Sequence, residues 1–188
     1  FSLNKRDGVR GFLRWLRRQD GDIKLSHSIK PKEASYGGFG ELAPEIVLAL
    51  KKRGVENLWS HQSKAFSLAS SGRDIVVVTP TASGKTFCYD LPVLNSILKE
   101  PSGRALYLFP TKALAHDQLT ELTELTAELK VKISAFTYDG DTPANKRSGI
   151  KNTANIVITN PDMLNRAILP HHTGWASFFR DLKYIVVD

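Results

Sequence analysis

Short apolar runs separated by amphipathic stretches are the dominant pattern of the chain after residue 40. Four of the five runs are almost continuously apolar or β-branched, which is typical of strands buried on both faces of a parallel sheet. The third run mixes polar and apolar positions. The five predicted strands are Asp74–Thr79, Arg104–Phe109, Lys132–Tyr138, Asn155–Thr159 and Lys183–Val187.

Helical patterns occupy the intervals around these runs. Pro44 fits a first helical turn that Gly54 would end, and Ser60 fits the N-cap of a second helix that continues to about Ser70. This alternation predicts an α/β domain with a mostly parallel sheet and helices on both faces, so ligands are expected at the carboxyl ends of the strands. The remaining predicted helices are Lys85–Leu98, Lys112–Leu129, Pro143–Lys151 and Pro161–Ile168.

The composition agrees with a globular protein and excludes several other classes. The 188 residues are 41% hydrophobic and 24% charged, and no stretch approaches the ~18 consecutive apolar residues of a membrane span. The single cysteine, Cys88, cannot form an internal disulfide, which favours a reducing intracellular compartment. The chain lacks an initiating methionine and ends directly after an apolar run, so we expect it to be a fragment.

The net charge of +7 is concentrated near the N-terminus, where residues 1–35 carry nine basic and four acidic side chains. A basic segment favours a polyanionic partner, because each neutralised phosphate releases counterions. A solvated helix face is the alternative, since Phe12, Trp15 and Leu16 would share one side of a helix. We therefore predict a basic N-terminal segment at 1–40 and a domain at 41–188.

The most specific motif is Thr79–Thr86, TPTASGKT, which follows a predicted strand and opens a predicted helix. Gly84 lets the backbone approach a phosphate, Lys85 can reach the β- and γ-phosphates, and Thr86 offers a hydroxyl to Mg²⁺. Thr79 stands where the motif usually has its first glycine, and a polar turn is the alternative reading. The predicted nucleotide-binding residues of this loop are Thr79, Pro80, Thr81, Ala82, Ser83, Gly84, Lys85 and Thr86.

Asp188 ends the fifth predicted strand about 100 residues after this loop. A carboxylate at that edge of the sheet is expected to be the second Mg²⁺ ligand of an ATPase. We therefore predict catalytic roles for Lys85 and Asp188.

The order of the motifs resembles the first RecA-like domain of superfamily 2 helicases, a P-loop NTPase fold. The strings TPTASGKT, YLFPTKALAHDQ, FTYDGDTP, IVITNPDML and ILPHHTGW together resemble the DUF1998-containing helicases, over roughly residues 27–188. That group includes bacterial mitomycin repair factor A helicases and fungal and plant RecQ4-like relatives. Five segments of the chain resemble helicase motifs. Leu58–Gln62 resembles the adenine-recognition motif, Phe109–Ala115 motif Ia, Asp139–Thr142 a backbone-contacting loop, Thr159–Leu164 motif Ib, and Asp188 the first acid of motif II.

This resemblance implies an ATP- and Mg²⁺-dependent helicase or translocase that acts on single-stranded DNA in the 3′ to 5′ direction, in DNA repair. Gln62 would select adenine, and hydroxyls and N–H groups in the loops would hold DNA phosphates without reading sequence. Taken singly, Thr142 is also a good N-cap and Asn160 ordinary turn chemistry. The implied DNA-contacting residues are Thr111, Lys112, Gly140, Thr142, Thr159 and Asn160.

The same resemblance implies partners outside this chain, namely a second RecA-like domain with an arginine finger. It also implies a strand after Asp188 that lies between the Asp188 strand and the phosphate-loop strand. We therefore expect the chain alone to have an incomplete sheet, marginal stability and no activity. The expected location is cytoplasmic for a bacterial host, which we favour, and nuclear for a eukaryotic one. An RNA-directed helicase and a non-hydrolysing nucleotide-binding module remain alternatives.

Overall fold

The structure is a computed structural model that describes residues 11, 12, 15, 18, 33–80, 83–129 and 131–188. The chain divides into two compact units, Phe1–Ala34 and Ser35–Asp188. In the first unit the rings of Phe12 and Trp15 stack with centroids 6.0 Å apart. Leu16 and most of the basic segment lie outside the described residues, and the predicted boundary between residues 40 and 41 stays a prediction.

A four-stranded parallel sheet forms the centre of the second unit, with the strands in the order β4 (Ala135–Thr137), β5 (Ile156–Thr159), β3 (Arg104–Leu108) and β6 (Leu182–Val187). Helices cover both of its faces, which confirms the predicted α/β fold class. A separate antiparallel pair joins β1 to β2. The strands are β1 Tyr36–Gly37, β2 Leu58–Trp59, β3 Arg104–Leu108, β4 Ala135–Thr137, β5 Ile156–Thr159 and β6 Leu182–Val187.

Local capping chemistry determines where several helices begin. Thr111 caps the helix α4 (Lys112–Thr126) by accepting a hydrogen bond from the Leu114 N–H, and Asn160 caps the helix α6 (Pro161–Met163) by accepting one from the Met163 N–H. The predicted helical stretch at 161–168 is confirmed, with an α-helical part at Pro161–Met163 and a π-helical part at Leu164–Ile168, and a 3₁₀ segment at Leu169–Trp175 follows it. The helices are α1 Pro44–Lys52, α2 Ser60–Ser70, α3 Thr86–Lys99, α4 Lys112–Thr126, α5 Ala144–Thr153, α6 Pro161–Met163 and α7 Ala176–Arg180.

Two hydrophobic clusters lie on opposite faces of the sheet because successive strand residues point to opposite sides. On β3, Ala105 and Tyr107 belong to the cluster under α1, α3 and α4, whereas Leu106 belongs to the cluster that contains Trp175 and Phe178. The strands are therefore buried on both faces, as their continuous apolar runs predict. None of the helices that the structure describes is long and apolar enough to cross a bilayer.

The prediction of a strand at Asp74–Thr79 is wrong for this structure, in which that segment pairs with no described strand. Val76 and Val78 are 90% and 88% exposed. A cleft of about 320 Å³ separates the segment from β6, so no ladder of hydrogen bonds can form between them. The strand that the helicase resemblance implies for this position stays a prediction.

Leucines on α1 test the packing of the larger cluster. Leu50 is fully buried, so Leu50→Ala should lower the free energy of unfolding by about 2–5 kcal/mol through lost burial and a cavity. Leu48 lies on the same helix and is 58% exposed, so Leu48→Ala should change the free energy of unfolding by no more than about 0.5 kcal/mol. Urea denaturation of both variants measures the difference, and similar losses would contradict this assignment of the core face.

Candidate nucleotide and nucleic-acid site

The predicted site residues gather at the carboxyl edge of the parallel sheet. Thr111 follows β3, Asn160 follows β5 and Asp188 follows β6. The register places Leu108 level with both Thr159 and Val187, so the segments that follow these three strands leave the sheet side by side. Parallel pairing therefore brings together residues that are far apart in sequence.

The phosphate loop is held by contacts among its own residues. The Thr79 and Ser83 hydroxyls lie 2.6 Å apart, and the Lys85 ammonium donates to the carbonyls of Thr79 and Pro80 at 3.2 and 3.3 Å. Gly84 has a φ of +74°, which is a conformation that favours glycine. Thr81 and Ala82, both predicted to bind nucleotide, lie outside the described residues.

The N-terminal turn of α2 holds the other end of this loop. The Gln62 amide donates to the Gly84 carbonyl at 2.8 Å and accepts from the Trp59 N–H at 2.9 Å, while the His61 ring contacts the Ser83 carbonyl at 3.0 Å. Gln62 is only 2% exposed. The resemblance gave Gln62 a role toward adenine, which stays a prediction, but did not indicate this contact with the loop or any role for His61.

An aromatic stack stands beside this turn, where Trp59 and Tyr36 place their ring centroids 5.0 Å apart. Both rings are partly exposed. A cavity of about 650 Å³ is lined by Trp59, Gln62, Gly84 and Thr86 among others. Because planar rings and amides recognise bases, this cavity is the candidate base subsite next to the phosphate loop.

The residues present fit a nucleotide phosphate and a divalent cation. Thr86 is the first residue of α3, and no side chain that the structure describes caps that N-terminus. A helix N-terminus of this kind presents N–H groups and a positive dipole to an anion. Lys85 and these N–H groups would hold the phosphates, while the oxygens of Thr86 and Asp188 would hold Mg²⁺, which would polarise the phosphate oxygens.

Tyr89 is a site residue that sequence reasoning missed. Its hydroxyl lies 3.2 Å from Asp188 Oδ2, and the Thr86 hydroxyl is also within its hydrogen-bonding range. Burial, followed by the nearby charge of Asp90, raises the pKa of the Tyr89 hydroxyl above its ordinary value, so the hydroxyl keeps its proton. No sequence signal distinguishes this residue, because a tyrosine on an amphipathic helix is ordinarily a core side chain.

Asp90, the next residue along α3, is a buried carboxylate that forms no ion pair with any cation among the described residues. It accepts hydrogen bonds from the Tyr107 hydroxyl at 2.9 Å and from the Gln118 amide at 3.0 Å. Burial raises the pKa of Asp90 to about 7, against the effect of these two donors. Burying a carboxylate in this way costs free energy, because its two hydrogen bonds replace only part of its hydration.

An ion pair joins two of the predicted DNA-contacting loops, the one after β3 and the one after β4. The Lys112 ammonium lies 2.7 Å from Asp141 Oδ2, in the loop that contains Gly140. This hydrogen bond raises the pKa of Lys112 and lowers that of Asp141. Arg147, which sequence reasoning did not single out, braces this loop by donating to the Thr142 and Asp139 carbonyls at 3.0 and 3.2 Å.

Several hydroxyls proposed for DNA are already engaged within the protein. Thr142 Oγ1 accepts from the Asp139 N–H at 2.9 Å, and Thr159 Oγ1 donates to the Tyr138 carbonyl at 2.6 Å. Thr111 and Asn160 cap helices. These side chains shape the loops, and their contacts with DNA stay predictions. Among the described residues no cluster of three or more metal-ligating side chains occurs, and His171 and His172 belong to none.

The chain is similar in sequence to known ATP-dependent helicases. The family model described as DEAD/DEAH box helicase matches residues 59–188. The chain is 55% identical to the uncharacterized ATP-dependent helicase YprA of Bacillus subtilis, over 86% of this chain and 22% of that protein. It is 38% identical to the ATP-dependent helicase HRQ1 of Saccharomyces cerevisiae, over 88% of this chain and 15% of that protein.

A solved structure shares both the sequence pattern and the fold. The DUF1998 helicase MrfA bound to DNA and AMPPNP is 50% identical, with a TM-score of 0.91 over 96% of this chain and 25% of that chain. These matches confirm the resemblance to DUF1998-containing helicases. The chain spans 22% and 15% of the lengths of these two curated relatives.

Substitution of Gly84 tests the contact between α2 and the phosphate loop. A Cβ at Gly84 would lie 2.6 Å from Gln62 Nε2, whereas a Cβ at Gly72, with a similar φ of +78°, would meet nothing within 4 Å. Both alanine variants should lose about 1–2 kcal/mol of unfolding free energy through backbone strain, and Gly84→Ala should lose about 1 kcal/mol more. The extra loss, measured by urea denaturation, should disappear in a Gln62→Ala background; equal losses at the two glycines would contradict the contact.

Asp90 predicts a pH dependence of stability. Its pKa of about 7 in the native state lies above the ordinary value of about 3.9, so the native state holds a proton that the unfolded chain releases. The free energy of unfolding should therefore fall as pH rises from about 4 to about 7, by on the order of 4 kcal/mol from this group.

Asp90→Asn keeps an acceptor for Tyr107 and removes this titration, so the variant should lose less stability over that interval. Urea denaturation at about pH 5 and about pH 8 measures the difference. Asp117→Asn, an exposed carboxylate on α4, is the control and should follow the wild-type profile. Parallel profiles for Asp90→Asn and wild type would contradict the assignment.

Proposed function

Because this chain belongs to the DEAD/DEAH box helicase family, we propose that it is the N-terminal ATP-binding lobe of a longer ATP-dependent DNA helicase or translocase. The whole protein would act on single-stranded DNA in the 3′ to 5′ direction, in DNA repair. The predicted domain at 41–188 would bind ATP, and the basic segment at 1–40 would add affinity for the polyanion.

The observation that carries this proposal is the position of the phosphate loop. Lys85 and Thr86 open α3, and Tyr89 on the first turns of that helix contacts Asp188 from the far end of the chain. A cation, a hydroxyl and a carboxylate therefore meet at one helix N-terminus, which is the set of groups that phosphoryl transfer requires. In this proposal Lys85 binds the β- and γ-phosphates, and Thr86 with Asp188 holds Mg²⁺.

DNA is the proposed track because the loops after β3, β4 and β5 lie at the same edge of the sheet as the phosphate loop. Lys112 supplies an exposed cation there, and a DNA phosphate would displace Asp141 from it. Backbone contacts of this type carry no sequence information, which suits a motor. The DNA and AMPPNP bound to the similar helicase MrfA support this proposal.

Hydrolysis would require groups beyond this chain. An arginine finger from a second RecA-like domain would stabilise the transition state and is a class of group worth about 10³–10⁵ in rate. This chain would therefore bind nucleotide and present the DNA-contacting loops without turning over ATP by itself. The cell compartment follows from the host, cytoplasmic in a bacterium and nuclear in a eukaryote.

The ATPase activity of the full-length protein, with and without single-stranded DNA, tests this function. We expect DNA to stimulate turnover, and Lys85→Ala to lower the stimulated rate by about 10²–10³-fold, because the lysine neutralises charge on the transferred phosphoryl group. Lys99→Ala, at the exposed end of the same helix, is the matched control and should retain the wild-type rate.

RNA of the same sequence should be tested in parallel. Stronger stimulation by RNA than by DNA would favour an RNA-directed helicase. ATP binding without stimulated turnover would favour a nucleotide-binding module, and the helicase proposal would then be wrong.

A further inference from the structure

One hydroxyl proton in this structure faces two acceptors that belong to different predicted sites. Tyr89 Oη lies 3.1 Å from Gln118 Oε1 and 3.2 Å from Asp188 Oδ2. A phenol has a single proton, so it can donate a strong hydrogen bond to only one of these two oxygens at a time. Asp188 belongs to the predicted metal site, whereas Gln118 lies on α4, which begins at the predicted DNA-contacting residues.

The direction of these hydrogen bonds is fixed by Asp90. Above its pKa of about 7 the Asp90 carboxylate is ionised and can only accept, and it receives the Tyr107 hydroxyl on Oδ1 and the Gln118 amide on Oδ2. The Gln118 amide nitrogen must therefore face Asp90, and its oxygen must face Tyr89. Asp90, Tyr107 and Gln118 are all at most 5% exposed, so water cannot readily substitute for any of these partners.

Helix α4 connects this network to the loop that would contact DNA. Gln118 lies six positions after Lys112, which is less than two turns along the same helix. Thr111 caps the helix, and Lys112 pairs with Asp141 in the neighbouring loop. A change in the hydrogen bond to Gln118 therefore acts on the helix that positions Thr111 and Lys112.

We propose that Tyr89 and Gln118 are positioning residues that link the carboxylate of Asp188 to helix α4, and so couple nucleotide binding to DNA binding. This inference rests on the function proposed above. When Asp188 directs its oxygens to a cation, the Tyr89 proton goes to Gln118 and α4 is held in one position. When Asp188 is free to accept, it competes for that proton and the hold on α4 weakens.

Packing alone does not require these groups. A phenylalanine at 89 and a leucine at 118 would fill closely similar volumes, although the leucine would leave Asp90 Oδ2 without the hydrogen bond that Gln118 donates to it. A buried carboxylate and amide instead cost free energy relative to apolar side chains of the same shape. The network therefore specifies an orientation, which is the property that a coupling element needs.

The test measures a coupling factor in the full-length protein. The dissociation constant for a fluorescein-labelled single-stranded DNA of about 20 nucleotides is determined by anisotropy, without nucleotide and with saturating AMPPNP and Mg²⁺. The ratio of the two constants is the coupling factor, which by linkage also describes the effect of DNA on nucleotide affinity. Couplings between sites typically amount to about 5–150-fold.

We expect Tyr89→Phe to reduce this factor at least about threefold, toward one, while the dissociation constant for DNA without nucleotide stays within about twofold of wild type. Gln118→Leu, which removes the other end of the link, should reduce the factor to a similar extent. The double variant should lose no more than either single variant, because both remove the same connection. Tyr184→Phe is the control, since the Tyr184 hydroxyl makes no hydrogen bond among the residues that the structure describes, and it should keep the wild-type factor.

The inference is overturned if Tyr89→Phe has the same coupling factor as the wild-type protein. It is also overturned if the wild-type factor is one, because nucleotide then has no effect on DNA affinity. Additive losses in the double variant also overturn it, because they indicate two independent effects on stability. These outcomes differ from failure of the proposed function, which is judged separately by DNA-stimulated ATP turnover and its loss in Lys85→Ala.

Discussion

The parallel pairing of β5, β3 and β6 is the constraint on which the rest of the site depends. The main-chain hydrogen bonds of these strands place Leu108 level with Thr159 on one side and Val187 on the other. The pairing continues just past the strands, where Phe109 donates to the Thr159 carbonyl at 2.9 Å and Asp188 donates to the Leu108 carbonyl at 3.1 Å. Three loops that are distant in sequence therefore leave the sheet at one edge, where their groups can act on one ligand.

Helices α2, α3 and α4 convert that edge into a site with defined partners. Helix α2 fixes the phosphate loop through Gln62 and His61, and α3 presents Lys85 and Thr86 at its N-terminus. Helix α4 approaches α3 through the Asp90 and Gln118 side chains. These contacts are polar and largely buried, so their geometry is specified more sharply than apolar packing would specify it.

The edge of β6 that faces away from β3 pairs with no described strand. Ile185 and Val187 are exposed there, and Val76 and Val78 are exposed on the segment across the cleft. The segment Asp74–Thr79 is apolar but has no neighbouring strand, among the residues that the structure describes, to which its main chain could form hydrogen bonds, and strand geometry depends on such bonds. Local β propensity at Asp74–Thr79 therefore did not suffice to make a strand.

The sequence by itself determined the alternation of strands and helices, the parallel sheet and the position of the phosphate loop. It could do so because buried strands require continuous apolar runs, and because Gly84, Lys85 and Thr86 are the residue types that a phosphate-binding helix start demands. Both signals are local, and each can be read within a few residues of the chain.

Only the tertiary structure decided which side chains meet. Tyr89, Asp90 and Gln118 carry no local pattern that distinguishes them from core or surface residues, and their network exists because three elements pack together. The same reason explains why Gln62 holds the Gly84 carbonyl and why Asp141 pairs with Lys112. The partners in these contacts are separated by 22 or more positions, and such separations are bridged by the fold and not by sequence spacing.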